Sequence, residues 1–256
     1  MTLEPTEEQK AIVAQVRSFV REEIVPLEAK LDPDASELPA EDHARLSQKV
    51  KDMGLYGLDI PEEFGGPGVD MTTRVLLAFE MGQHRAGLYA PCYGVFGAAG
   101  LAQLYEATPE QKEKYLHPML RGEKKGFFGL TEPSGGSDPA RAIRTRAVMD
   151  GDDYVINGSK IFISAADKAD FGLLFCRTDP DKGRGGVTCF IVETTTPGFH
   201  VRRIVHTLRS SNYATELQFE NMRVPARNIL GQLNKGFAIA NERLSRQRVP
   251  YAAQCL

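Results

Sequence analysis

The loop at residues 130–138, LTEPSGGSD, is the stretch of the chain best suited to binding chemistry. It follows GFFG, whose apolar character is typical of a strand that enters a core. Glycines and serines leave backbone N–H groups open to a ligand, often a phosphate. The same residue types also dominate ordinary surface turns, for conformational reasons alone. The loop by itself therefore leaves a ligand-binding loop and a plain turn open.

Other patterns with chemical potential fail in their context. GVFGAAG (94–100) has glycines three apart and no preceding strand, so it does not indicate a dinucleotide fold. GQLNKGF (231–237) has Phe237 where a phosphate-binding loop needs lysine. The carboxylates Glu62 and Glu63 lie in a turn-like stretch and are expected to face solvent. The sequence has no GxSxG, HExxH or CxxC, so neither a hydrolase elbow nor a protein-built metal site is expected.

The composition is that of a globular protein with one large or two moderate domains: 256 residues, 42% hydrophobic and 25% charged. The net charge of -3 gives no reason to expect a nucleic acid partner. The acidic N-terminus differs from a signal peptide, and no apolar run approaches the roughly 18 residues of a membrane span. The 4 widely spaced cysteines look like reduced thiols. We therefore expect a cytoplasmic protein without a membrane partner.

The first half of the chain has the periodicity of helices. TEEQ at Thr6–Gln9 and TPEQ at Thr108–Gln111 are capping boxes, and Pro39 and Gly54 suit the start and the end of a helix. IPEEFGGPGVD (60–70) has the composition of a loop. The predicted helices begin at Thr6 and run from Pro39 to Gly54, Thr72 to Ala86, Pro91 to Glu106 and Thr108 to Leu120.

The pattern changes near Arg121–Gly122 to short β-branched or aromatic segments, a spacing that predicts a β-barrel or a sandwich. The predicted strands are GFFGL, RTRAVMD, DYVING, KIFIS, FGLLFC, GVTCFIVE, FHVRRI and ELQFENMRV. Asp150–Asp152 and Asn157–Gly158 are the strongest turn signals. Helical periodicity returns at Asn234 and reaches YAAQCL without a closing signal, which indicates a fragment or one part of an assembly.

Five motifs stand in an order that resembles the acyl-CoA dehydrogenase family: GLTEPSGGSD, DGDDYVINGSKIFIS, TPGF, VPARNILG and RQRVPYAA. The similarity covers essentially the whole chain. It implies an α+β fold, with an all-α N-terminal domain (1–122) and an antiparallel β-barrel middle domain (123–232) that binds flavin and acyl-CoA. Residues 233–256 would be the first helix of a C-terminal helical domain that is otherwise absent. In this family FAD lies between the barrel and the last helices.

The resemblance also implies roles for individual residues. The expected cofactor-binding residues are Phe128, Leu130, Thr131, Gly136, Ser137, Phe162, Ile163 and Ser164. Ser137 and Arg248 are expected to contact the substrate. On residue type alone, Thr131 would suit a cap of its own turn, Phe162 a core aromatic and Arg248 a solvated helix position.

The sequence departs from the family pattern in several places. Many relatives have Trp at the position of Phe162, and this chain has no Trp. Some relatives carry the catalytic glutamate where this chain has Gln247, which cannot act as a base, and Glu242 falls on a different helix face. The other family source of the base, a late Tyr-Glu-Gly segment, does not occur here, and neither does RxxFG. The loop has Ser134–Gly136 for Gly-Ala-Gly, and Leu208 replaces a common Gly. We therefore expect no catalytic residue in this chain.

The resemblance implies an FAD-dependent acyl-CoA dehydrogenase, in which a carboxylate removes the α-proton of an acyl-CoA thioester and the β-hydrogen passes as hydride to the flavin. Expected partners are acyl-CoA, an electron-transfer flavoprotein as acceptor, and further copies of the chain in a dimer or homotetramer, or a subunit that supplies the C-terminal domain. Two alternatives stay open: a flavin oxidase or monooxygenase of the same fold, and a non-catalytic subunit that binds FAD or acyl-CoA.

Overall fold

A computed structural model describes residues 4–32, 35, 37–84, 92, 94–97, 101–206 and 214–256, without the side chains of Arg243 and Arg246. The chain divides into a helical unit of residues 1–99 and 245–256 and a sheet unit of residues 100–244. No helix within the described ranges is long and apolar enough to cross a membrane.

The helical unit contains α1 (Glu7–Phe19), which continues through a π-helical turn (Val20–Ile24) into α2 (Val25–Glu28), then α3 (Ala40–Asp52), a 3₁₀ turn (Glu62–Phe64) and α4 (Met71–Met81). The starts of α1 and α3 agree with the prediction. The capping box at Thr6 is confirmed, because its hydroxyl accepts from the Gln9 N–H (3.2 Å) and the Gln9 amide oxygen accepts from the Thr6 N–H (3.0 Å). The start of α3 after Pro39 and the left-handed Gly54 (φ +70°) are confirmed as well.

The core of this unit lies where α1, α3 and α4 turn their apolar faces inward. Its fully buried members are Val16, Val20, Leu46, Val50, Leu77 and Val95. Ile12 and Val13, also expected on the apolar face of α1, are partly buried and pack against this cluster. Full burial of one leucine side chain contributes about 1.5–3 kcal/mol, so this face holds the helices together.

Two predicted helices differ from the structure. The helix from Thr72 begins one residue earlier, because Asp70 caps it by accepting from the Thr73 N–H (2.9 Å), and it ends at Met81. The helix predicted over residues 91–106 is wrong in its described part. Residues 94–96 form a turn in which Gly94 has φ +87°, and residues 102–106 form a 3₁₀ helix. A positive φ is incompatible with a right-handed helix.

The described residues of the sheet unit form short helices and eight strands. One continuous helical segment consists of α5 (Pro109–Gln111), a π turn (Lys112–Leu116) and α6 (His117–Leu120), and a second short helix is α7 (Pro139–Ala142). Four 3₁₀ turns lie at Ala102–Glu106, Ala166–Lys168, Gly183–Gly185 and Ala226–Asn228. The strands are β1 (Gly126–Gly129), β2 (Arg146–Asp150), β3 (Asp153–Ser164), β4 (Phe171–Arg177), β5 (Val187–Glu193), β6 (Phe199–Val205), β7 (Ala214–Pro225) and β8 (Ile229–Leu230). The capping box at Thr108 is confirmed. Helix α8 (Gly236–Gln254) contributes residues to both units.

The eight strands form one sheet in the order β6-β7-β3-β2-β4-β5-β8, with β1 paired to β4. The predicted antiparallel barrel is corrected here to a mixed sheet, because β4 runs parallel to both β1 and β2. The strand pairs of the described residues leave the order open between β6 and β8. Alternation in the sequence identifies a strand, but it carries no information on which neighbour the strand pairs with.

The turn predicted at Asn157–Gly158 is wrong, since β3 continues through it with a register shift opposite β7. The Asn157 amide oxygen accepts from the Asn221 N–H on β7 (2.8 Å), which holds the strands together at the bulge. A Cβ at Gly158 would lie 2.6 Å from the Thr145 Cα, so glycine permits this close approach. The turn predicted at Asp150–Asp152 is confirmed as the link between β2 and β3.

A buried apolar cluster fills one side of this sheet. Its fully buried members include Phe127, Ile156, Leu174, Phe190, Leu217, Phe219 and Met222. Phe127 on β1 and Phe190 on β5 belong to the same cluster although they lie far apart in the sequence. The end of β1, where the loop at 130–138 begins, is therefore anchored in the core.

Candidate cofactor site beside strands β1 and β3

The two sequence segments expected to bind the cofactor are neighbours in the structure. The Ile161 N–H on β3 donates to the Thr131 carbonyl in the loop after β1 (3.0 Å). Thr131 is half-buried, and Phe162 and Ser164 are exposed. This bond thus joins the segment that carries the exposed Phe162 ring and Ser164 to the segment that carries Thr131.

Phe162 has an unusual conformation for a large residue. Its side chain is 57% exposed and its φ is +58°, in the left-handed region that bulky residues rarely adopt. Ala165, three residues later, has φ +55°. A solvent-exposed aromatic residue with a strained backbone indicates a functional position, because such strain persists only where the surrounding structure holds it.

Three of the expected cofactor residues have side chains directed into the protein. Ile163 is 2% exposed and belongs to the sheet core, and its carbonyl accepts from the Thr215 hydroxyl (2.9 Å). Leu130 is also buried, and the Phe128 ring packs against the Phe175 ring with 4.9 Å between centroids. The exposed groups of the candidate site therefore come from their neighbours.

The glycine loop has a fixed base and an open tip. The Gly135 N–H donates to the Glu132 carbonyl (3.1 Å), and the Ser134 hydroxyl donates to the Ala142 carbonyl (3.3 Å). Gly136 and Ser137 are exposed. A Cβ at Gly136 would come no closer than 3.8 Å to a neighbour, so the described protein itself leaves room there for a side chain. The open space above Gly136 suits the close approach of a ligand.

A buried ion pair lies beneath the loop. Lys160 is fully buried, and its Nζ donates to Glu132 Oε1 (2.8 Å), the Leu130 carbonyl (3.1 Å) and the Phe175 carbonyl (2.7 Å). Glu132 in turn accepts from the backbone N–H groups of residues 144 (2.7 Å) and 145 (2.9 Å). Both charged groups are therefore fully engaged in hydrogen bonds, as buried charges must be.

The environment keeps Glu132 ionised. Burial by itself raises the pKa of the Glu132 carboxyl, but the Lys160 ammonium and the hydrogen bonds from Thr145 outweigh it, so this pKa lies below its ordinary value of 4.5. Complete burial lowers the pKa of the Lys160 ammonium, and the Glu132 carboxylate opposes that shift.

Sequence reasoning missed Glu132 and Lys160, although a signal was present. Tyr154, Ile156 and Lys160 all point inward on β3, so a charged residue stands at a core position and requires a buried partner. The alternation is interrupted after Lys160, because a bulge on β3 between Lys160 and Ile163 leaves both residues buried although they are three positions apart.

Arg248, the remaining predicted site residue, belongs to the helical unit. It is exposed on α8. Its neighbour Gln247 donates to Asp59 Oδ2 (3.3 Å), and Asp59 also pairs with Arg74. Gln247, Asp59 and Arg74 line a cavity of about 130 Å³ within the helical unit. Leu208 lies outside the described residues, which bring together no cluster of side chains able to hold a metal ion.

Family comparisons identify both units. The model of the acyl-CoA dehydrogenase N-terminal domain matches residues 6–123, and that of the acyl-CoA dehydrogenase middle domain matches residues 127–222. The chain belongs to the acyl-CoA dehydrogenase family. The predicted family is therefore confirmed.

Individual relatives agree with this assignment. The chain is 37% identical to a short-chain specific acyl-CoA dehydrogenase of Clostridium acetobutylicum, over 98% of this chain and 65% of the relative. It is 37% identical to acryloyl-CoA reductase (NADH) of Anaerotignum propionicum, over 98% and 63%. A glutaryl-CoA dehydrogenase from Mycobacterium smegmatis, solved in complex with FADH2, is 28% identical with a TM-score of 0.74, over 98% and 62%. The chain thus spans about two thirds of the length of these relatives.

Proposed function

We propose that this acyl-CoA dehydrogenase family member binds FAD beside the loop at 130–138 and acts in the α,β-desaturation of an acyl-CoA thioester. The observation that carries the proposal is Phe162, an exposed aromatic residue in a strained conformation, which the Ile161–Thr131 bond holds next to the glycine loop. Strain and exposure together favour a ligand over a core role for this ring.

The residues present fit a flavin. Phe162 offers an aromatic face for stacking, and Thr131 and Ser164 offer hydroxyl groups for the polar edge of the ring. Gly136 allows a close backbone approach, and Ser137 at the open tip is suited to contact both cofactor and substrate. When bound, FAD supplies a hydride acceptor. The protein's part is to orient the ring and the thioester and to exclude water.

Other parts of the reaction lie outside these residues. Gln247 cannot accept a proton, so we expect the carboxylate base to come from a further segment or from a partner subunit. Arg248 remains a proposed substrate contact. We further propose an electron-transfer flavoprotein as acceptor, a dimer or tetramer as the assembly, and the cytoplasm as the location. The four cysteines are free, which agrees with a reducing compartment.

A second candidate is the reverse reaction, the reduction of an α,β-unsaturated acyl-CoA. It is favoured by the 37% identity to a protein named acryloyl-CoA reductase (NADH). The same flavin-binding residues would serve both directions, because one transition state is crossed either way.

The FAD site is tested by fluorescence titration of FAD with the purified chain and the Phe162→Ala variant. We expect Phe162→Ala to weaken FAD binding about ten-fold, or ~1.4 kcal/mol, through lost stacking. Met149→Ala is the matched control, since Met149 is 61% exposed on β2 and has no proposed role. A wild-type chain that binds no FAD, or a Phe162→Ala variant with unchanged affinity, would contradict the proposal.

The direction of the reaction is tested without oxygen on FAD-loaded protein combined with the further segment or partner subunit that supplies the carboxylate base. Loss of the visible flavin absorbance on addition of butyryl-CoA supports the dehydrogenase. The reductase is supported if acryloyl-CoA reoxidises the chemically reduced protein faster than butyryl-CoA reduces the oxidised protein. If neither substrate reacts, the non-catalytic subunit becomes the better hypothesis.

A further inference from the structure

The two segments of the candidate site lie on strands that do not pair with each other. β1 pairs with β4, whereas β3 pairs with β2 and β7. No ladder of backbone hydrogen bonds therefore fixes the register between the loop after β1 and the end of β3. The Ile161–Thr131 bond is one link between them.

Lys160 supplies further links from inside the sheet. Its Nζ binds the carbonyl of Leu130, the residue before Thr131, and it also binds Glu132, the residue after Thr131. In the other direction along the chain, Lys160 stands two residues before Phe162. One ammonium group thus fixes both flanks of Thr131 relative to the strand that carries Phe162.

Glu132 closes the base of the loop. Its carboxylate accepts from the N–H groups of Arg144 and Thr145, the residues that lead into β2. These bonds hold together the two ends of the segment formed by residues 133–143. The exposed tip with Gly136 and Ser137 therefore starts from a base that the ion pair holds in place.

We propose that Glu132 and Lys160 are positioning residues, which set the register between Thr131 and Phe162 so that both contact one bound FAD. The inference rests on the proposed FAD site. The pair acts through Thr131 and Phe162 and does not itself contact the cofactor.

The test uses Lys160→Met and Glu132→Asp in the full chain, with FAD affinity measured by fluorescence quenching and ring orientation by visible circular dichroism of the bound flavin. Lys160→Met removes the shared donor. Glu132→Asp keeps the charge and shortens the reach, so it serves where Lys160→Met does not fold. We expect at least a ten-fold loss of FAD affinity and an altered visible band in the folded variants.

Met222→Ala is the matched control for stability. Met222 is fully buried in the same sheet and lies opposite Ile156, six residues before Phe162 on β3. It is expected to lower the melting temperature while FAD affinity stays within two-fold of wild type. A folded Lys160→Met or Glu132→Asp variant with wild-type affinity and band shape, or a Met222→Ala variant with an equal loss of affinity, overturns the positioning role.

Hydrogen exchange separates this inference from the FAD proposal, because it needs no cofactor. We expect faster amide exchange in residues 130–137 and 161–164 of Lys160→Met, with unchanged exchange in β5. If the wild-type chain binds no FAD but this exchange pattern appears, the proposed function fails and the register-setting role stands. Unchanged exchange in both segments overturns that role.

Discussion

Ion pairs serve different purposes in the two units of this protein. In the helical unit, Arg17 on α1 donates to Glu80 on α4 (2.6 Å), with side chains 47% and 5% exposed. In the sheet unit, the side chains of Lys160 and Glu132 are 0% and 4% exposed. The first pair is half in solvent, and the second is closed off from it.

The difference follows from what else holds each region together. Helices α1 and α4 already share an apolar core, so the Arg17–Glu80 pair adds to a contact that burial has made. The loop after β1 lies outside the strand ladders of the sheet. The Leu130 carbonyl at its start accepts from Lys160, and the Arg144 N–H beyond its end donates to Glu132. We infer that the buried pair specifies the geometry of the loop, whereas an exposed pair contributes little to stability.

The largest expected effect comes from breaking the buried pair on one side. Lys160→Met leaves the Glu132 carboxylate buried without its cation, which should lower the free energy of unfolding by about 3–5 kcal/mol. Urea unfolding followed by far-ultraviolet circular dichroism measures this. A loss below about 1 kcal/mol, the range of exposed pairs, would erase the contrast between the units.

A second prediction concerns the close approach of β3 to Thr145, two residues before Lys160. Gly158→Ala forces a Cβ to 2.6 Å from the Thr145 Cα and should cost about 1–3 kcal/mol. Gly151→Ala is the control, because Gly151 also has positive φ (+64°) but no neighbour within 4 Å. Unfolding of both variants in urea should show the greater loss for Gly158→Ala, and equal losses would argue against the close packing.

Acid should weaken the sheet unit through Glu132. Its pKa is lowered by folding, so its contribution to stability is complete above the ordinary value of 4.5 and is lost as pH falls through the lower folded value. The free energy of unfolding of the wild type should therefore fall more steeply below pH 4.5 than that of Glu132→Gln. The two slopes should differ by at most ~1.4 kcal/mol per pH unit, which corresponds to one proton. Parallel pH profiles of the two proteins would contradict this account.

The smallest effect is expected in the helical unit. Glu80→Gln keeps one acceptor for Arg17 and leaves the apolar core intact, so its melting temperature should fall by less than that of Lys160→Met. Because Arg17 is half-exposed, added salt should narrow the difference between Glu80→Gln and wild type. A salt-insensitive loss as large as that of Lys160→Met would place both pairs in one class.

Local signals in the sequence predicted much of this fold. The capping boxes at Thr6 and Thr108 and the turn after Asp150 depend on residues close in the chain, and the structure confirms them. The same kind of reasoning failed at Asn157–Gly158, where contacts with Asn221 and Thr145, distant in sequence, override a local turn preference.

The candidate site shows the same division. Motif order identified the family and the segments that are expected to bind the cofactor. It did not separate Phe162, which is exposed, from Ile163, which is buried, because both are large apolar residues in one strand. Adjacent residues of a strand face opposite sides, and the packing of β3 in the sheet decides which of the two is exposed.

The sequence by itself determined the family, the helices that begin after the capping boxes at Thr6 and Thr108, and the existence of most strands, since these rest on motif order and on short-range patterns. Tertiary structure alone decided that the sheet is mixed, that β3 runs through its predicted turn, and that Lys160 meets Glu132. The physical reason is that strand pairing and charge burial join residues far apart in the chain, whose partners no local pattern specifies.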